Sequence, residues 1–105
     1  MSKDTRLVDE FESMVRRCKS TGKEPDERFY AIGTKVDTLR CETATRLWKG
    51  FDYLQENPNN EDAENLWIEL LQMYERACDL LEEGAKLITV NPAIKIFDGE
   101  EVYDT

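Results

Sequence analysis

Between Ala63 and Leu81 the apolar residues fall at steps of three and four: Ala63, Leu66, Trp67, Leu70, Tyr74, Ala77, Cys78 and Leu81. That spacing keeps returning to one side of a rod that turns every ~3.6 residues, so it predicts an amphipathic helix. Asn57-Pro58 reads as a turn, and Asn59 or Asn60 is placed to cap the helix that follows. Glu61, Asp62 and Glu64 complement the positive end of its dipole, and Gly84 is expected to end it.

Two further segments show the same period. Leu7, Val8, Phe11, Met14, Val15 and Cys18 predict a first helix capped by Ser2 or Asp4 and stopped by Gly22. Arg16, Arg17 and Lys19 fall in its last turn, where cations favour the negative end of the dipole, so this cluster is read as helix-end compensation before nucleic-acid contact. Pro25 suits the first turn of a second helix, with Asp26 and Glu27 at its positive end. Phe29, Ile32, Val36, Leu39, Thr43, Leu47, Phe51 and Leu54 carry its stripe onward, which makes it about thirty residues long. Gly33 and Gly50 lie inside it, each costing ~0.8–1 kcal/mol against alanine, and close helix approach is the ordinary reason to accept them. A break near Gly33 is the alternative.

The predicted class is therefore all-α: an antiparallel three-helix bundle over residues 1–90, built on a long hairpin of the second and third helices, followed by an extended tail over residues 91–105. In that tail, Asp98-Gly99 between apolar stretches is a small β-hairpin signal. The first helix is much shorter than the second, so one end of the hairpin lacks a third layer. The tail, packing on the bundle or on a partner subunit, is the obvious cover. A homodimer formed through the uncovered end is the alternative.

A chain of 105 residues has room for one modest core. Cys18, Cys41 and Cys78 are odd in number and form no Cys-x-x-Cys pair, which fits reduced thiols rather than a zinc or redox motif. No apolar run approaches the ~20 residues of a membrane span and none resembles a signal peptide, so a cytoplasmic, non-membrane protein is expected. Histidine is absent, which removes Ser-His-Asp and Cys-His catalysis and nearly all catalytic zinc arrangements. No cofactor motif stands out, and neither a cofactor nor an enzymatic activity is expected.

Charge is the most specific functional signal. Residues 1–56 carry 11 Lys+Arg and 11 Asp+Glu, whereas residues 57–105 carry 3 and 12, so the second half holds the whole net charge of −9. On the third helix Glu61, Ile68, Glu75 and Glu82 recur every seven residues, flanked by Glu64 and Asp79. These positions fall away from the apolar stripe and should look outward, which argues against carboxylates converging on a metal. Arg76 is the sole cation in residues 57–85, so intrahelical pairing cannot neutralise the row. Uncompensated like charge repels itself, and a chain that tolerates it can use it to steer toward a basic partner.

These features predict an acidic helical interaction module, an adaptor or inhibitor, that binds a basic protein surface through Glu61, Glu64, Ile68, Glu75, Asp79 and Glu82. Small size and net charge also admit a nucleic-acid mimic, with no direct nucleic-acid binding by the chain itself. The rival reading is an oligomeric protein that sequesters a nucleotide or another phosphate ligand on the flank of the second helix bearing Arg28, Lys35, Arg46, Lys49 and Tyr53. The same cations could instead pair with carboxylates of the third helix. Tyr30, Cys41 and Trp48 lie outside the main stripe; a sandwiched central helix would bury them, and an exposed Trp48 would mark a contact surface.

Overall fold

A computed structural model describes residues 3–88, which form α1 (Lys3–Thr21), α2 (Glu27–Glu56) and α3 (Glu61–Ile88). Connections of five and four residues make neighbouring helices antiparallel, and each helix packs on the other two. The result is the expected all-α three-helix bundle with a long α2–α3 hairpin. Ser2 and the tail over residues 91–105, with the hairpin signal at Asp98-Gly99, lie outside the described residues.

Local chemistry sets the ends. Gly22 takes φ 72°, the left-handed conformation that suits glycine, and its N–H donates to the Cys18 carbonyl at 2.9 Å, closing α1. The Asp26 carboxylate accepts from the Phe29 N–H at 2.9 Å and caps α2, so Pro25 stands just ahead of the cap rather than inside the first turn. Asn60, rather than Asn59, caps α3 by accepting from the Ala63 N–H at 3.0 Å. Asp4 falls within the first turn of α1, since that helix already runs from Lys3.

Val8, Phe11 and Val15 of α1 meet Phe29, Ile32, Val36 and Leu39 of α2 and Ala77 and Leu80 of α3 in one core. Phe11 is the wedge at its centre. Its ring lies 5.2 Å from that of Phe29, and a methyl group built on Gly33 or Gly84 would sit 3.3 or 3.1 Å from its edge. Close approach therefore explains Gly33, and α2 runs through it unbroken. Gly84 does not end α3 as expected. It is buried under Phe11 and Phe29, and the helix continues four residues further, to Ile88.

Gly50 admits a second close approach. The Trp67 indole lies over it, donates its N–H to the Leu47 carbonyl at 2.8 Å, and would stand 2.7 Å from any Cβ placed there. At ~1.5 Å per residue, the 19 residues of α1 cover about 28 Å of the roughly 45 Å of α2. Beyond that reach Leu66, expected in the core, is 61% exposed, while Leu80, absent from the expected stripe, is buried with Phe11 and Val8 in the core that α1 completes.

Helix propensity alone predicts that Gly50→Ala stabilises the protein by up to ~1 kcal/mol. The overlap with Trp67 reverses the sign: Gly50→Ala is expected to lower stability by about 1–3 kcal/mol in urea unfolding, and Phe11→Ala by about 3–5 kcal/mol.

Candidate functional site

The side of α3 that meets α1 is electrically matched. Arg76 donates to Asp9 Oδ1 at 2.6 Å and to Glu12 Oε1 at 2.7 Å, and these two partners, Asp9 first, raise its guanidinium above the ordinary arginine value. Lys19 pairs with Glu83, with Lys86 a more distant second cation at 3.7 Å, and the Lys19 hydrogen bond is the main reason that the Glu83 carboxyl lies below its usual range. Arg28 of α2 pairs with Glu10 of α1.

The opposite side of α3 is not matched. Glu61, Glu64, Ile68, Glu75, Asp79 and Glu82 are all exposed, and none of the five carboxylates is in an ion pair among the described residues. Arg76, the cation closest to them in sequence, is turned to α1. A seven-residue step along a helix is ~10.5 Å, so the row from Glu61 to Glu82 runs about 31 Å down one edge of the bundle. Among the described residues no group of three His, Cys, Asp or Glu side chains is arranged to hold a metal ion, and no helix is long and apolar enough to cross a membrane.

The five residues of the rival ligand site are not gathered into one place. Arg28 is held by Glu10 of α1, not by the α3 carboxylate that sequence suggested as a partner. Lys35, Arg46 and Lys49 are exposed, and the exposed Tyr53 hydroxyl accepts from Asn60 Nδ2 at 3.3 Å. Arg28 and Tyr53 are separated by about 38 Å of helix, so no single nucleotide touches both ends. Arg46, Lys49 and Tyr53 alone share two turns.

A feature that the periodicity did not separate from the core lies on the other flank of α2. Ala44, Leu47, Trp48, Phe51, Trp67 and Tyr74 line an open apolar cleft of about 460 Å³ between α2 and α3. Trp48 is 72% exposed and packs edge-on against Phe51, which in turn lies 6.5 Å from Trp67. Phe51 and Trp67 sit on stripes that look like core. The signal that distinguishes them is the shortness of α1, since no α1 residue lines the cleft. Cys41 is exposed and Cys18 and Cys78 are half-buried, all three as free thiols.

A carboxyl held below its usual range stabilises the fold above its unfolded value and loses that contribution as pH falls through the folded one. Wild type is therefore expected to exceed Glu83→Gln in urea stability above pH 4.5, the ordinary value, with the gap closing as pH drops below it. A gap independent of pH would show that the Lys19 pairing does not operate. Compared with known proteins, the chain matches no family model, no curated protein and no solved structure.

Proposed function

We propose that the chain is a non-enzymatic interaction module, an adaptor or inhibitor, which docks on a basic protein surface through the outer face of α3. One observation carries this reading: the single cation of the segment, Arg76, is engaged by Asp9 and Glu12 of α1, leaving Glu61, Glu64, Glu75, Asp79 and Glu82 exposed without a partner among the described residues. Such a face raises the local negative potential, which speeds encounter with a cationic surface and disfavours acidic ones. Exposed ion pairs yield only about 0–1 kcal/mol each, so the charge row selects and orients while apolar contact must supply affinity. Ile68, 41% exposed within the row, is the apolar residue placed to do so.

Reversing three of the carboxylates, Glu75→Lys, Asp79→Lys and Glu82→Lys, tests the reading on the protein alone and on its partner. The triple variant is expected to keep its helical circular dichroism and to melt higher than wild type at low salt, because self-repulsion is relieved. It is expected to lose capture of the partner, which in wild type weakens at least tenfold over roughly a tenfold rise in salt. Capture that is insensitive to salt and survives the three changes contradicts the proposal. The rival phosphate-ligand reading predicts stabilisation by added nucleotide, ~2.7 kcal/mol at a hundredfold excess over the dissociation constant, whereas an interaction module of this kind predicts an unchanged melting temperature.

A further inference from the structure

Docking by charge leaves affinity to apolar contact, and one side of the α2–α3 hairpin offers more of it than Ile68. α1 lies against the other side, marked on α3 by Arg76. At about 100° per residue, Trp67 and Ala85 fall about 180° round α3 from Arg76, and Tyr74 about 160°. Two open apolar depressions lie there. One is the aromatic cleft at Trp48, Phe51 and Trp67; the other, about 300 Å³, is lined by Tyr30, Gly33, Leu81, Ala85 and Ile88, among others. From Tyr30 to Trp48 is ~27 Å along α2, which sets the length of the groove they make.

The rim of this groove is negative on both sides. On α3, Glu64 and Glu82 fall about 60° from Trp67 and Ala85, and Glu75 about 100° from Tyr74. All three are exposed without an ion-pair partner among the described residues, and Lys86, at the far end of that rim, pairs with Glu83. On α2, Asp37 and Asp52 fall within about 40° of Trp48, whereas Arg28, Lys35, Arg46 and Lys49 are turned about 100–160° away. Arg40, which stands between the two depressions, is already held by Asp37 at 2.8 and 3.0 Å. A second copy of a chain with net charge −9 would therefore set acid against acid, while a cationic segment meets attraction along both rims. Two helices have their backbone groups paired internally, so the groove has no free edge on which an extended strand could pair. The occupant must satisfy its own backbone, as a helix does, and a helix of about 18 residues spans ~27 Å with an apolar stripe that reaches both depressions.

We propose that the groove receives a basic amphipathic helix of another protein, which lays its apolar side over Trp48, Phe51 and Leu81 and sets Lys or Arg against Glu64, Glu75 and Glu82. It packs on the α2–α3 hairpin from the side opposite α1. This assignment rests on the acidic docking face proposed above and specifies the chemistry of its partner.

The probe is a synthetic, tryptophan-free peptide of about twenty residues with leucine along one face of its helix and lysine along the other. With the full-length chain it is expected to bind one to one, to gain helical circular dichroism and to shift tryptophan emission to the blue. Trp48→Ala removes a side chain that is 72% exposed and is expected to weaken binding roughly tenfold or more, with Trp67 still reporting. Glu75→Lys with Glu82→Lys is expected to weaken it about as much, and Arg46→Ala with Lys49→Ala, on the far flank, not to weaken it. The same peptide shuffled to destroy its apolar face is expected to bind roughly tenfold more weakly or worse. Binding that falls with the charge changes but ignores Trp48→Ala and the shuffling overturns the groove and leaves the acidic face standing. Binding that ignores the charge changes overturns both readings. Failure of the peptide to bind, or a doubled solution mass that Trp48→Ala returns to that of one chain, overturns the proposal, the latter by assigning the groove to a second copy.

Discussion

The bundle turns on one ring. Phe11 enters between α2 and α3 where each offers a glycine, Gly33 on one side and Gly84 on the other, and packs on Phe29 at 5.2 Å. A side chain at either glycine would hold the helices apart by a few tenths of an ångström or more, in an interior that has little slack. Because Phe11 fits only where two glycines face each other, it fixes the height of α1 along the hairpin as well as its rotation. Val8 and Val15, one turn to each side, then fall into the core with it.

That height decides the distribution of charge. With α1 registered on Phe11, Asp9 and Glu12 come within 2.6 and 2.7 Å of Arg76, Lys19 reaches Glu83, and Glu10 reaches Arg28. Arg76, Lys19 and Arg28 are thereby engaged on the inner flank. The acidic surplus is left on the outer edge of α3, and the aromatic surplus is left at the hairpin end that a 19-residue helix cannot cover. An uncompensated edge and an open cleft are thus two consequences of one packing choice.

The periodicity made the three helices legible, and the cap chemistry placed their ends within a residue or two, except the C-terminal end of α3, because both are local. Gly22 and Asp26 act on backbone groups only a few residues away, so their roles could be read without knowing the fold. Gly84 could not. As an isolated glycine near the end of an apolar pattern it has the form of a stop, and only the facing Phe11 and Phe29, distant in sequence, turn it into a contact. Leu66 and Leu80 exchanged roles for the same kind of reason: burial on a long helix depends on which neighbour is opposite, not on period alone. The outward direction of Glu61, Glu64, Ile68, Glu75, Asp79 and Glu82 followed from the angle per residue, whereas the engagement of Arg76 by α1 required the register that Phe11 sets.

The placement of Phe11 between two glycines has a direct magnetic signature. A ring current displaces the resonances of protons packed against an aromatic ring, so the α-protons of Gly33 and Gly84 should both resonate away from the positions of ordinary helical glycines and move together toward them in Phe11→Leu. Ordinary shifts for both glycines in the wild-type protein, or shifts that persist in Phe11→Leu, would contradict the wedge and with it the register from which the exposed edge and the open cleft follow.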